Sequence, residues 1–220
     1  MSIRYQIPTC LQRLYGGVVW RGGREQKVVY LTFDDGPIPE VTPLLLDVLD
    51  RYGVKATFFC VGENVARYPD LARDIVRRGH AIGNHTYHHL RGWRTPLRDY
   101  VTDVQQADDV LHRILGDSWQ PTGLMRPPHG RMTCRQKRCL QRTHTIVLWD
   151  VLTHDYNAKA YTPERILRIV KRFTRNGSVL VFHDSIKSQP SMLQALPQVI
   201  EWLLAQGYQL ATLKKIAAKS

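Results

Sequence analysis

Long apolar runs are missing from this sequence of 220 residues. No stretch approaches the roughly 18 consecutive apolar residues that a membrane-spanning helix needs, and residues 1–8 lack the apolar core of a signal peptide. From these two absences we expect a cytoplasmic protein, with an association with the cell envelope left open. Internal repeats and low-complexity tracts are absent as well.

Cysteine is scarce, with four residues and no Cys-x-x-Cys pair. This is neither the density of a secreted disulfide scaffold nor the spacing of a common zinc site. We therefore predict free thiols, and we place Cys60 in the core because it lies in an apolar run.

Acidic residues are outnumbered, since 31 Lys and Arg stand against 19 Asp and Glu and give a formal net charge of +12 at pH 7. Such an excess favours anionic partners, for example nucleic acid, acidic glycans or a membrane surface. The basic residues are scattered over predicted helix faces rather than grouped. We therefore expect a solvated basic surface and no nucleic-acid groove.

What is present is the composition of an ordinary globular protein, with 43% hydrophobic and 23% charged residues. The length fits one domain. Residues 1–25 have little periodicity and carry Gly16-Gly17 and Gly22-Gly23, so we predict an N-terminal arm that lies against a domain of residues 26–220.

Short runs rich in β-branched and aromatic residues alternate with helical segments along that domain. The predicted strands are residues 28–33, 56–61, 80–84, 123–126, 145–149, 178–183 and 208–211. Residues 41–52, 97–114 and 163–173 show the spacing of one-sided helices. Seven strands alternating with helices predict a parallel α/β sheet, either open and doubly wound or closed as a (β/α) barrel.

Two adjacent carboxylates, Asp34 and Asp35, stand where the first predicted strand ends at Gly36-Pro37. Side chains alternate between the faces of a strand, so neighbouring Asp residues converge only where the strand breaks into a turn. The carboxyl ends of strands are where α/β proteins build their sites. On these residues alone, a solvated turn that caps the next helix is an equally good interpretation.

A histidine pair follows the third predicted strand, at His85 and His89. Their spacing of four places both imidazoles on one face if the segment turns helically. Two imidazoles and a carboxylate suit Zn²⁺ or a similar divalent ion with open coordination positions. A His-rich loop is more often a polar surface turn, but together with the Asp pair it predicts a metal site.

In chain order these segments resemble the polysaccharide deacetylase family, the NodB-homology domain of carbohydrate esterase family 4. The matching motifs are TFDDGP at 32–37, HTYHH at 85–89, RPPHG at 126–130, WDVLTHDY at 149–156 and VLVFHD at 179–184. Five ordered motifs over about residues 27–211 make a specific signal. The resemblance implies a distorted (β/α) barrel of seven strands in a single domain.

The resemblance also implies an activity, which is the metal-dependent hydrolysis of N-acetyl groups on an amino sugar or an N-acetylglucosamine-containing polysaccharide. By position, Asp35, His85 and His89 would hold the ion, most simply Zn²⁺, with Co²⁺, Ni²⁺ or Mn²⁺ as alternatives. Asp34 would take a proton from water, and His183 would protonate the departing amine.

Further roles follow from the resemblance in the same way. Arg126 would keep Asp34 ionised, and Asp155 would raise the pKa of His183. A backbone N–H near His129 would stabilise the oxyanion. The residues implied in substrate binding are Pro128, His129, Tyr156 and Leu180.

This sequence departs from the family pattern at three positions. His129 stands for an aromatic residue, Tyr156 for Trp and Leu152 for an acidic residue, and we expect these changes to alter the preferred glycan more than the reaction. Three tryptophans, Trp93, Trp119 and Trp149, could stack on sugar rings or fill the core. We favour the core for them, least of all for Trp93, which falls in a predicted loop.

Two other functions stay open at this point. One is a related metal amidohydrolase that cleaves a small-molecule amide, and the other is a non-catalytic glycan-binding or nucleic-acid-binding relative. The presence of both Asp34 and His183 argues against a mere binding protein, because binding needs no proton-transfer pair. We expect a monomer, and the glycan itself is not identified by the sequence.

Overall fold

Strands and helices alternate along most of the chain in the computed structural model, which describes residues 5–116 and 121–213. The strands are β1 (Val28–Asp34), β2 (Thr57–Cys60), β3 (Ala81–Asn84), β4 (Leu124–Met125), β5 (Thr145–Ile146), β6 (Val151–Leu152), β7 (Val179–His183) and β8 (Gln209–Leu210). The helices are α1 (Thr9–Leu14), α2 (Thr42–Arg51), α3 (Gly62–Arg67), α4 (Pro69–Arg77), α5 (Leu97–Leu115), α6 (Cys134–Leu140), α7 (Pro163–Phe173) and α8 (Gln189–Ala205). The predicted helices at 41–52, 97–114 and 163–173 correspond to α2, α5 and α7.

One parallel sheet forms the framework of the fold. Its strand order is β5-β4-β3-β2-β1-β7-β6, with β8 paired to β1 beside this path. Each pairing between neighbouring strands is parallel. The sheet curls into an incomplete barrel, so the expected single-domain distorted (β/α) barrel with seven strands in its path is confirmed.

Two segments differ from the sequence-based expectation. The predicted strand at 145–149 ends early, and the chain forms a separate strand, β6, after Asp150. Residues 1–25 are not irregular throughout, because they contain α1 and make isolated bridges from Val19 to Val147 and from Arg21 to Ser178. These bridges connect the N-terminal segment to the strands of the domain.

Helix starts follow from local sequence. Thr162 caps α7 by accepting a hydrogen bond from the Arg165 backbone N–H, and Pro163 occupies the first turn, where its missing N–H is no loss. Thr133 and Gln136 form a reciprocal capping box at α6. These caps fix the residues at which α6 and α7 begin.

The core is centred on β1, which lies between β2 and β7. Phe33 stacks between Phe58 and Phe182, with ring centroids 5.3 and 5.8 Å apart. Helices cover the strands, so β1 buries residues of both its faces, as buried parallel strands do. This packing holds the carboxyl ends of β1 and β7 side by side.

All four cysteines are free thiols and Cys60 is buried, as the sequence predicts. None of the helices in residues 5–116 and 121–213 combines the length and the apolar character that crossing a bilayer requires.

Candidate active site

The carboxyl ends of four strands of the sheet, β4, β3, β1 and β7, bring the predicted site residues together. Asp34 ends β1 and pairs in register with His183 at the end of β7. His85 directly follows β3, and Arg126 directly follows β4. Parallel strands end at the same edge of a sheet, so residues far apart in sequence meet there.

Asp34 is held by a buried arginine. Arg126 has no exposed surface, and its Nη1 donates to Asp34 Oδ1 at 2.6 Å and to the Thr32 hydroxyl at 2.8 Å. Its Nη2 donates to the Leu148 carbonyl, and its guanidinium lies 4.1 Å from the centre of the Phe59 ring. Burial lowers the pKa of Arg126 and the Asp34 charge opposes that shift. The hydrogen bonds of the buried Arg126 thus hold the Asp34 carboxylate in one orientation.

Three potential metal ligands converge beside this pair. One donor atom from each of Asp35, His85 and His89 lies within 4.8 Å of the others. Asp35 Oδ1 is 3.2 Å from His89 Nε2 and 3.6 Å from His85 Nε2. Asp35 and His89 adopt left-handed backbone conformations, with φ of 81° and 54°. Such strain persists where the surrounding structure enforces it, and it concentrates at functional sites.

The donor set fits a divalent transition-metal ion. Burial lowers the pKa of His85 to about 4, so its imidazole is neutral and has a lone pair to offer. Its Nδ1 is hydrogen-bonded to the Arg126 carbonyl at 2.8 Å, which leaves Nε2 towards Asp35. Burial opposes ionisation of Asp35, but the hydrogen bond from His89 and the charge of His183 lower its pKa well below the usual range.

The loop that carries His85 and His89 is tied to α5. Asp103 on α5 accepts hydrogen bonds from the backbone N–H groups of Tyr87 and His88, and its second oxygen lies 2.5 Å from His88 Nδ1. Asn84 accepts from the Thr86 N–H at 2.7 Å. Sequence reasoning missed both Asp103 and Asn84. The available signal was an acidic residue, Asp103, on the buried face of a helix.

A second carboxylate holds His183 in place. Asp155 Oδ1 lies 2.7 Å from His183 Nδ1, and its Oδ2 accepts the His183 backbone N–H at 2.7 Å. Burial alone would lower the pKa of His183, but the Asp155 charge and hydrogen bond, with smaller contributions from Asp35 and Asp34, raise it to about 9. His183 is therefore an imidazolium at neutral pH.

Three of the four residues predicted to bind substrate lie near this site. His129, with φ of 59°, has its ring 5.0 Å from that of His89, and it follows the buried Pro128. Tyr156 is 42% exposed, and its ring meets that of His183 edge to face at 4.9 Å.

Leu180 is a correction to the sequence-based prediction. Its side chain is completely buried in the main hydrophobic core. Side chains alternate along a strand, so Leu180, three residues before His183, points to the other face of the sheet. Val181, two residues before His183, shares the face of His183. The prediction that Leu180 lines the site was therefore wrong, because a shift of one residue along β7 changes the face on which a side chain lies.

The tryptophans are distributed differently from the prediction that all three fill the core. Trp149 is partly buried and packs against Gly130, where an added Cβ would lie 2.4 Å from the indole. Trp93 is 64% exposed, so its assignment to the core was wrong. Trp119 lies outside the described residues.

Asp184 is a further residue, to which the sequence analysis assigned no role of its own. It is buried, its Oδ2 accepts the Thr42 hydroxyl at 2.7 Å, and burial raises its pKa to about 7. An added Cβ on Gly36 would lie 2.0 Å from this carboxylate. Gly36 is therefore required by the close approach of the Asp34-Asp35 turn to Asp184.

Comparison with known proteins agrees with this geometry. The family model described as polysaccharide deacetylase matches residues 21–145. The chain is 35% identical, over 84% of its length, to a peptidoglycan-N-acetylglucosamine deacetylase of Bacillus cereus, and 32% identical, over 87% of its length, to the peptidoglycan-N-acetylmuramic acid deacetylase PdaC of Bacillus subtilis. These alignments cover 66% and 39% of the two relatives, so the chain spans only part of their length.

A solved structure extends the similarity to nearly the whole chain. The crystal structure of a peptidoglycan N-acetylglucosamine deacetylase, solved with a bound hydroxamate, superposes with a TM-score of 0.87 at 31% identity. The match covers 97% of this chain and 98% of that one.

Proposed function

This chain belongs to the polysaccharide deacetylase family, and we propose that it removes acetyl groups from N-acetylated amino sugars in a glycan. The named relatives are peptidoglycan deacetylases, so a peptidoglycan strand is the substrate class that we propose first. The observation that carries the proposal is the register pair of Asp34 and His183, a carboxylate and an imidazolium, beside the cluster of Asp35, His85 and His89.

We propose that these three residues hold a divalent ion, with Zn²⁺ as the first candidate. Such an ion, when bound, supplies Lewis acidity that polarises the acetamide carbonyl and makes the attacking water more acidic. The remaining steps are carried out by side chains and backbone of this chain.

Asp34 acts as the base in this proposal. Arg126 binds its Oδ1 and leaves Oδ2 to accept a proton from the water that attacks the acetamide carbon. A negative charge then develops on the former carbonyl oxygen, and we assign the backbone N–H at His129 as a donor to it.

His183 acts as the acid. An amine leaves poorly unless it is protonated, and the imidazolium held by Asp155 has the proton to give. The C–N bond breaks, its electron pair takes up that proton, and the products are acetate and the free amino sugar. Base and acid thus stand at the ends of neighbouring strands, β1 and β7.

The direct test is acetate release from N-acetylglucosamine oligomers and from peptidoglycan strands. We expect release that stops on chelation, recovers with added Zn²⁺, and is lost in Asp34→Asn but not in the control Asp109→Asn, which changes an exposed residue of α5. In parallel, Asp35→Asn should lower the bound metal content, whereas Asp34→Asn should retain it.

Two results would contradict the proposal. Metal-loaded protein that releases no acetate from any glycan or acetamide would exclude a deacetylase. Release from small acetamides alone, with none from oligomers, would instead identify a small-molecule amidohydrolase.

A further inference from the structure

The loop after His89 presents a tryptophan to solvent. Trp93 is 64% exposed, yet its indole N–H donates to the Met132 carbonyl at 2.9 Å. The preceding Gly92 is buried against the same segment, where an added Cβ would lie 2.5 Å from the Arg131 carbonyl. Exposing a large aromatic ring to water is unfavourable, and tryptophan is enriched where proteins bind partners.

An arginine lies over this ring. The Arg131 guanidinium carbon lies 5.0 Å from the centre of the Trp93 ring, which is within cation–π range. No hydrogen bond from the Arg131 guanidinium to another group is found among the described residues, so its N–H donors are available to bind a carboxylate. Most of Trp93 stays exposed beside this arginine.

The surroundings of this ring carry positive charge that is not neutralised. Arg91, Arg94 and Arg131 are exposed, and none of them forms a salt bridge with a carboxylate in residues 5–116 and 121–213. By contrast, three arginines in α4 or directly after it each form a salt bridge with an aspartate, namely Arg73, Arg77 and Arg78. The rim at Trp93 is therefore a cationic surface without an internal partner.

This rim borders the proposed active site. Arg131 is two residues from His129 and Trp93 is four residues from His89, and the rings of His89 and His129 are 5.0 Å apart. At no more than about 3.6 Å per residue, the Cα atom of Arg131 lies within about 7 Å of that of His129, and Trp93 within about 14 Å of His89. These limits put the rim within reach of a sugar chain whose acetamide lies in the site.

We infer that Trp93 and Arg131 form a subsite for a sugar that neighbours the one being deacetylated, and that this sugar carries a carboxylate. The apolar face of the sugar ring packs on the indole, and the Arg131 N–H donors bind the carboxylate. Arg91 and Arg94 add attraction for an anionic chain. The inference rests on the proposed function and names the acidic glycan as its preferred substrate.

Steady-state kinetics with three probes tests the subsite. The probes are the neutral dimer and tetramer of N-acetylglucosamine and a tetramer in which alternate sugars carry a lactyl carboxylate. For Trp93→Ala we expect KM of both tetramers to rise about fivefold, with kcat unchanged and the dimer little affected. Trp93→Phe keeps an aromatic face without the indole N–H, and it should remain within about twofold of the wild type.

The arginine is tested separately. Arg131→Gln should raise KM about fivefold for the acidic tetramer alone, and it should weaken the dependence of that KM on ionic strength. Arg51→Gln is the matched control, because Arg51 is an exposed arginine at the far end of α2. It should leave all three KM values unchanged.

Binding measured by calorimetry in an Asp34→Asn background separates the subsite from the chemistry. If the wild type released no acetate, tighter binding of the acidic than of the neutral tetramer, lost in Arg131→Gln, would still support the subsite. Unchanged tetramer KM and affinity in folded Trp93→Ala would overturn it, and so would a loss in Trp93→Phe as large as in Trp93→Ala. Equal effects of Arg131→Gln on both tetramers would overturn the carboxylate assignment.

Discussion

Two buried carboxylates among the described residues bind an arginine, and they differ in whether an oxygen remains without a hydrogen bond. Asp150 has no exposed surface, and Arg175 donates to both of its oxygens, at 2.6 and 3.0 Å. Ser178 donates to one of those oxygens at 2.7 Å and Gln12 to the other at 3.4 Å. Every acceptor position that Asp150 can use is occupied.

Asp34 is nearly as buried, at 3% exposure, but Arg126 binds only its Oδ1. Its Oδ2 accepts no hydrogen bond from the residues that the structure describes. A carboxylate with filled acceptors stabilises the fold, whereas one with a free oxygen at a strand end can take up a proton. Asp155 and Asp103 also have hydrogen bonds on both oxygens, but these bonds hold groups of the proposed site, so each acts on the site through the group that it binds.

The largest effect is expected at Asp34. Asp34→Asn removes the proton acceptor, and kcat should fall about 1000-fold. Because Arg126 is fully buried, the lost charge should also lower the free energy of unfolding, so kcat is measured per folded protein below the thermal transition. Retention of more than a tenth of the wild-type kcat would show that the free oxygen of Asp34 is not the base.

Asp155→Asn should come next, with kcat reduced about 100-fold at neutral pH, because His183 loses the charge that keeps it protonated. In the wild type, kcat should fall as rising pH deprotonates His183. The midpoint should lie between 6.5 and about 9, because an ion held by Asp35 weakens the contribution of that carboxylate to the raised pKa of His183. In the variant this limb should move towards or below 6.5. The pH profile of kcat is the measurement, and an unmoved limb would separate Asp155 from the titration of His183.

The same raised pKa has a consequence for stability. His183 binds its proton more tightly in the folded than in the unfolded protein, so its contribution is fully present below pH 6.5 and is lost as pH rises through about 9. Urea unfolding across this range should show that decline in the metal-free wild type and a smaller decline in Asp155→Asn.

Asp150→Asn should lower the free energy of unfolding without lowering kcat, unlike Asp34→Asn. The amide of Asn would direct N–H donors at the donors of Arg175, and the free energy of unfolding should fall by about 2 kcal/mol, a value reduced because the Arg175 side chain is 36% exposed. Urea denaturation measures this loss, with the exposed Asp109→Asn as the matched control. The kcat per folded molecule should stay at the wild-type level, and a large loss of kcat would break the distinction between filled and free carboxylates.

The difference between Asp34 and Asp150 could not be derived from the sequence. Both follow predicted strands and both were expected near a strand end, because periodicity reports which face of an element a residue occupies. It does not report that Arg175 or Gln12, distant in sequence, fills the acceptors of Asp150. The meeting of Asp34, Asp35, His85 and His89 was predictable, because carboxyl ends of parallel strands share one edge of the sheet.

Other differences have equally local causes. Leu180 was misplaced because one residue of parity along β7 decides which face a side chain takes. Trp93 was assigned to the core by its residue type, while its exposure depends on a hydrogen bond to Met132, which lies after β4. The supports of the histidine loop were missed because Asp103 contributes through a helix that begins twelve residues after His85.

Asp103→Asn is the smallest of the expected effects and extends the comparison to a filled carboxylate beside the metal ligands. Asp103 binds two consecutive backbone N–H groups between His85 and His89, so it positions the loop without entering the site. Asn retains one acceptor for these groups but places an amide opposite His88, and metal affinity should fall about tenfold. Competition with a chelator measures that affinity, and saturating Zn²⁺ should restore kcat, because the proton-transfer pair of Asp34 and His183 is intact. A loss of kcat that metal does not restore would mean that Asp103 acts on the chemistry rather than on the loop.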